Sequence, residues 1–172
     1  GSYGGLMPVH VFVDESQRRE YLLCAVEVEV RHLLEVRRTM RRLLLPGPRR
    51  IHFKSESDRR RKVALTQIAD LPVRLRIGRA VGPAADARAE AWEALLPKIR
   101  AADCQRLVVE RRGRIEDRSE RRFLASRLGP DSVTEYVHLP PHEEPILWVA
   151  DAVAWAGGAG RQWHERLALE FA

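Results

Sequence analysis

The chain has 172 residues, 45% hydrophobic and 31% charged, and no apolar stretch reaches the roughly 20 residues needed to cross a bilayer. These values fit one compact domain and exclude wholesale disorder, a fibrous repeat and a membrane span. Lysine plus arginine outnumber aspartate plus glutamate by 30 to 24, a net charge of +6, and only Lys54, Lys62 and Lys98 are lysines. That excess either suits a polyanionic partner, nucleic acid first, or records the codon bias of a GC-rich genome.

Gly1-Ser2 reads as a cloning remnant, and no basic segment followed by an apolar run marks a secretory signal, so a cytoplasmic location is expected. Residues 9–13 (VHVFV) predict a short strand ending at Asp14. A second strand spans 20–30, and the short polar link between them predicts a hairpin. Apolar spacing from Arg31 to Leu45 predicts a helix, stopped by the Pro-Gly-Pro at 46–48. IHFK (51–54) reads as extended, and Ser57-Asp58 caps a helix that runs to Leu71. VRLRIG (73–78) alternates as a third strand. A helix at 85–102 carries Pro97, which should kink it or end it early. RLVVER (106–111) reads as a central strand, 116–127 as a helix and SVTEYVHL (132–139) as a fifth strand. A very apolar helix covers 144–156 and ends at Gly157-Gly158, and a last helix covers 161–171.

Three antiparallel strands followed by strands alternating with helices demand parallel, right-handed crossovers. The expected fold is α/β: a mixed five-stranded sheet flanked by helices, in a single domain over 1–172, with a helical insertion at about 31–71. Cys24 and Cys104 lie in apolar strand-like runs and read as free buried thiols, which fits a reducing compartment.

Three carboxylates occupy costly places. Asp14 ends the first strand, Glu110 ends the apolar run 107–109, and Asp151 sits in ILWVADAVAWA, a helix apolar nearly all round. If the first and fourth strands are parallel neighbours, Asp14 and Glu110 meet at the carboxyl end of the sheet, where ligands of open α/β sheets bind. The apolar helix then brings Asp151 in. Converging carboxylates repel unless a cation lies between them, and hard oxygen ligands favour Mg²⁺ or Mn²⁺. One or two such ions activate a water and stabilise the leaving oxygen of a phosphodiester. Each acid also has an ordinary reading. Asp14 is then a turn residue, Glu110 a partner for Arg111 or Arg112, and Asp151 a salt-bridge partner for an arginine.

This strand order, with Asp14, Glu110 and Asp151 so placed, resembles the ribonuclease H-like superfold, and the acid positions are closest to its Holliday-junction resolvase type. VFVDES (11–16), YLLCAVEV (21–28) and WVADAVAWA (148–156) more narrowly resemble an uncharacterised bacterial family with an Asp-Glu-Ser strand end and a closing Ala-Asp helix motif. The resemblance implies a divalent-metal-dependent nuclease acting on DNA or RNA, with Asp14, Glu110 and Asp151 as metal ligands.

Other residues are candidates for lesser roles. Glu15 follows Asp14 and points to the opposite face, toward an arginine. His52 and Lys54, two apart and on one face if extended, could approach a phosphate or orient a water; otherwise they form a solvated edge. Asp117 is a fourth metal ligand or, preferably, an acid at a helix N-terminus. His138 and His142 default to a loop, and Trp148 and Trp155 to the core. The basic runs at 37–42, 49–50 and 59–62 would position a nucleic-acid strand without reading its sequence, or else form a solvated face. No G-x-x-x-x-G-K loop supports a nucleoside triphosphatase. A non-catalytic nucleic-acid-binding or scaffolding protein is the alternative function, and an exposed edge strand would allow a homodimer.

Overall fold

A computed structural model describes residues 7–172, so Gly1-Ser2 lies outside the described residues. The elements run β1 (Val9–Gln17), β2 (Tyr21–Glu29), α1 (Leu33–Leu43), α2 (Asp58–Ala69), β3 (Val73–Ala80), α3 (Ala84–Ala101), β4 (Cys104–Glu110), α4 (Arg114–Leu128), β5 (Glu135–Leu139), α5 (Ile146–Ala159), α6 (Arg161–His164) and β6 (Leu169–Phe171). The strands form one sheet in the order β5-β4-β1-β2-β3-β6. The expected pairing holds: β1–β2 and β2–β3 are antiparallel, while β1–β4 and β4–β5 are parallel. The helical insertion between β2 and β3 also stands where the sequence places it.

Strand alternation divides the core in two. Phe12, Cys24, Val26 and Val108 face α1, α2 and α5, whereas Val11, Val13, Leu107 and Val109 face α3 and α4 with Trp92 and Leu124. Helix α5 is buried along nearly its whole length because sheet and insertion cover opposite sides of it. Burying a large apolar side chain contributes roughly 1.5–3 kcal/mol, so this helix tolerates one carboxylate among its apolar residues. At Gly78 a Cβ would stand 2.5 Å from the Ala91 carbonyl, so the bare backbone of β3 lets α3 approach closely.

Several expectations are corrected. The first strand does not end at Asp14; it runs to Gln17, because residues 14–17 continue the backbone ladder opposite 21–24. IHFK is not a continuous strand: Phe53–Ser55 form a 3-10 turn, anchored by the fully buried Phe53. Helix α3 does not end early at Pro97 but runs on to Ala101, and the buried Leu95, Leu96 and Ile99 offset a cost of about 3 kcal/mol for the proline. Helix α5 passes Gly157-Gly158, each costing only about 1 kcal/mol, and stops at Gly160, whose φ of +122° ends the helical path. The expected helix at 161–171 is one turn, after which Leu169–Phe171 add a sixth strand parallel to β3. A free sheet edge satisfies these last backbone groups better than an isolated short helix could.

Candidate functional site

The parallel register sets Val13 beside Val109, so Asp14 and Glu110 follow at the same end of neighbouring strands. Both side chains share the sheet face of Phe12 and Val108, the face covered by α5. Asp14 is only 5% exposed. Burial, then a hydrogen bond and charge repulsion from Glu110, then repulsion from Asp151, push its carboxyl well above the usual carboxylate range. Its Oδ1 accepts the Glu15 backbone N–H at 2.7 Å. Burial also raises Asp151, against the stabilising Phe53 N–H, His52 and Arg50. Asp151 Oδ2 accepts that N–H at 2.8 Å, so the 3-10 turn fixes the carboxylate from the insertion side. The sequence thus brings all three acids to one sheet end.

Glu110 is paired neither with Arg111 nor with Arg112. Arg50 Nη1 donates to its Oε1 at 3.1 Å. Among the described residues no arginine forms an ion pair with Asp151, whose Oδ2 takes the Phe53 N–H. Arg50 was missed as a site residue because 60 positions separate it from its partner, and nothing local marks the pair.

Beside the acids lies a cavity of about 350 Å³, lined by residues that include Glu15, Arg18, His52, Lys54, Asp151 and Trp155. His52 and Lys54 do reach a common space with Asp151, through a turn rather than an extended run. His52 Nδ1 lies 3.4 Å from Ser55 Oγ. Arg18 and Arg61 stack on Trp155, 4.8 Å and 4.2 Å from its ring centroid. Trp148 and Trp155 are buried, as expected, yet Trp155 also forms a wall of this cavity. Cys24, opposite Asp14 in the ladder, is a free thiol raised well above its usual range by burial and then by Asp14. It is therefore an inert neighbour of the acids.

The insertion's arginines divide their work. Arg37 pairs with Glu144 at 2.7 Å, Arg60 pairs with Glu56 and donates to the Leu43 carbonyl, and Arg61 donates to the carbonyls of Phe53 and Lys54. Arg38, Arg41, Arg42, Arg49 and Arg59 remain exposed.

On the opposite sheet face, Glu15 pairs with Arg88 at 2.6 Å, as its position predicts. Arg88 also clamps Glu120 through two nitrogens, joined there by Trp92 and Arg112. Burial raises Glu120, but hydrogen bonds from Arg88 and His138, with the charges of Arg88 and Arg112, outweigh it and hold the group at about 2. His138 is not a loop residue; it is buried within β5, its Nε2 3.3 Å from Glu120 Oε1. Asp117 takes the helix N-terminal role, its Oδ1 accepting the Arg112 N–H at 3.1 Å.

The donor chemistry of Asp14, Glu110 and Asp151 fits a hard divalent cation: all are carboxylates, and burial leaves the group short of positive charge. Among the described residues no three His, Cys, Asp or Glu side chains stand in position to hold a metal ion. Oxygens of Glu110 and Asp151 are instead turned to Arg50 and to the Phe53 N–H.

No protein-family model matches the chain. No curated protein matches it either. Among solved structures it is similar to the PCNA:RNase HII complex from Archaeoglobus fulgidus, with a TM-score of 0.54 and 17% identity over 94% of this chain and 76% of that one. It is also similar to a mutant of Bst-RNase HIII, with a TM-score of 0.49 and 13% identity over 88% of this chain and 51% of that one. The first likeness gives the fold: a mixed sheet with helices on both faces, ribonuclease H-like, with six strands among the described residues where the sequence predicts five.

Proposed function

We propose that the protein is a divalent-metal-dependent nuclease that hydrolyses phosphodiester bonds of DNA or RNA, with Asp14, Glu110 and Asp151 as the ligands of Mg²⁺ or Mn²⁺. The observation that carries this reading is the meeting of Asp14 and Glu110 at the ends of parallel strands, with Asp151 of α5 near enough for the three charges to repel one another. The short motifs around Asp14 and Asp151, which resemble those of the Asp-Glu-Ser family, support it further.

When bound, a divalent cation supplies an acidified water and charge neutralisation at the leaving oxygen. The chain's own residues do the rest. The Phe53 N–H keeps the Asp151 carboxylate oriented. His52 and Lys54 line the cavity beside it, where Lys54 offers a compact cation to a phosphate oxygen and His52 can accept a proton from water. Arg18 and the exposed arginines of the insertion contact flanking phosphates. Incubating the chain with single- and double-stranded DNA, RNA and hybrids plus Mn²⁺ tests the reading. Cleavage should appear and should fall at least a hundredfold in Asp14→Asn. No cleavage by the wild type, or equal cleavage by the variant, would overturn it.

Arg50 favours a second reading, a non-catalytic nucleic-acid-binding or scaffolding protein on the same fold, because its guanidinium already gives Glu110 a positive partner. Mn²⁺ titration separates the two: a nuclease binds the ion through Asp14, and a scaffold does not.

A further inference from the structure

A second cavity, of about 480 Å³, opens at the carboxyl end of β4 on the face opposite the three acids. It is lined by Arg111, Arg114, Asp117, Arg118, Arg121 and His138. Glu110 ends β4 and Arg111 follows it, so strand alternation sends one side chain to each face. Arg112 turns inward to Glu120, whereas among the described residues Arg111, Arg114, Arg118 and Arg121 make no ion pair or side-chain hydrogen bond. All four are exposed. Gathering like charges is costly unless an anion answers them.

A second observation points to a ligand. His138 is 4% exposed and among the described residues its Nδ1 has no hydrogen-bond partner, although its Nε2 is engaged by Glu120. A buried ring nitrogen left unpaired is unusual and costly, and this one belongs to a residue that lines the cavity. Asp117 is the sole acid among the described lining residues, and the Arg112 N–H already occupies its Oδ1. Arg114, Arg118 and Arg121 lie four and three residues apart on α4, so at about 1.5 Å per residue they form a row about 10 Å long. A row of planar guanidinium forks matches successive phosphates of a linear polyanion better than one isolated ion.

We propose that this cavity binds backbone phosphodiesters of a nucleic-acid strand that crosses the carboxyl end of β4. That these phosphates flank a cleaved bond rests on the nuclease reading; that the cavity binds them does not. The two are tested apart by measuring binding of a labelled oligonucleotide to the full chain in EDTA, where no cleavage can occur. Arg118→Ala and Arg121→Ala should each weaken binding roughly threefold to tenfold and lower the slope of log K against log salt by roughly 0.7–0.9. Arg122→Ala, the same charge change on an exposed neighbour in the same helix, should stay within twofold. Equal effects of all three variants would overturn the proposal. Oligonucleotides with a 5′-phosphate and a 5′-hydroxyl should bind alike, and a tenfold preference for the phosphate would assign the cavity to terminal phosphates instead. Poly-glutamate of matched charge should compete poorly; competition as strong as that of unlabelled oligonucleotide would assign it to an acidic peptide. Binding that passes these tests in a chain that cleaves nothing with Mn²⁺ would leave this inference standing and the nuclease reading overturned.

Discussion

Asp14 and Glu15 are adjacent in the chain and belong to opposite kinds of chemistry. Glu15 joins a buried network with Arg88, Tyr21 and Glu120 on the α3–α4 face, where Glu15 Oε2 and both Glu120 oxygens meet donors. Asp14 faces α5 and meets two further acids, with one arginine among them, on Glu110. The first group holds Glu120 at about 2 and the second pushes Asp14 upward. Burial is common to both faces, so it does not by itself tell the two groups of acids apart. What distinguishes them is whether the surroundings supply matching positive charge.

The largest effect that would sharpen this contrast is on the paired face. Glu120→Gln should destabilise the fold by about 3–5 kcal/mol in chemical denaturation, since it leaves Arg88 buried without its main partner. Because Glu120 is depressed, its stabilisation is complete above its unfolded value and should fade as pH drops below about 4.5 toward about 2. A loss under 1 kcal/mol would mean that the network is ornamental.

On the unpaired face the next effect is a gain. Mn²⁺ or Mg²⁺ at a hundred times its dissociation constant should stabilise the wild type by about 2.7 kcal/mol, read as a rise in Tm, and should do little for Asp14→Asn. A smaller gain is expected from Asp14→Asn without metal, about 1–2 kcal/mol at pH 8, since it removes a buried like charge. The sign follows from the raised carboxyl: the cost of Asp14 to the fold builds as pH rises from its ordinary value of 3.8 up through its elevated range, so the gain should shrink toward acid. Arg50→Ala should be the smallest change, under about 1 kcal/mol, because the Arg50–Glu110 pair is partly exposed. If it destabilises by more than 3 kcal/mol, Arg50 is a built-in counter-ion and the face is structural after all.

Much of this contrast was legible in the sequence. Asp14, Glu110 and Asp151 stood out because each interrupts an apolar run, and apolar periodicity is what places a residue on a strand or a buried helix. The opposite facing of Glu15 followed from alternation alone. Long-range partners were not legible. Arg50 reaches Glu110 and Arg88 reaches Glu120 across 60 and 32 positions, and in a chain so rich in arginine nothing singles out one guanidinium. The strand to Leu139 was expected, but His138 was given a loop role because Pro140-Pro141 follow it, and nothing local marks its long-range partner Glu120. The sixth strand was hidden for a related reason: three residues carry no period, and only the open edge of β3 gives them a place.

The hairpin between β1 and β2 turns in three residues, 18–20, closed where the Arg18 N–H meets the Glu20 carbonyl at 3.1 Å. Side chains alternate strictly along β1, so inserting or deleting one residue ahead of Asp14 within that strand would exchange the two faces. Glu15 or Val13 would then stand among the acids, and Asp14 would confront α3. The length of one strand between two fixed neighbours therefore acts as a selector, deciding which carboxyl joins the unpaired acids and which becomes a strut.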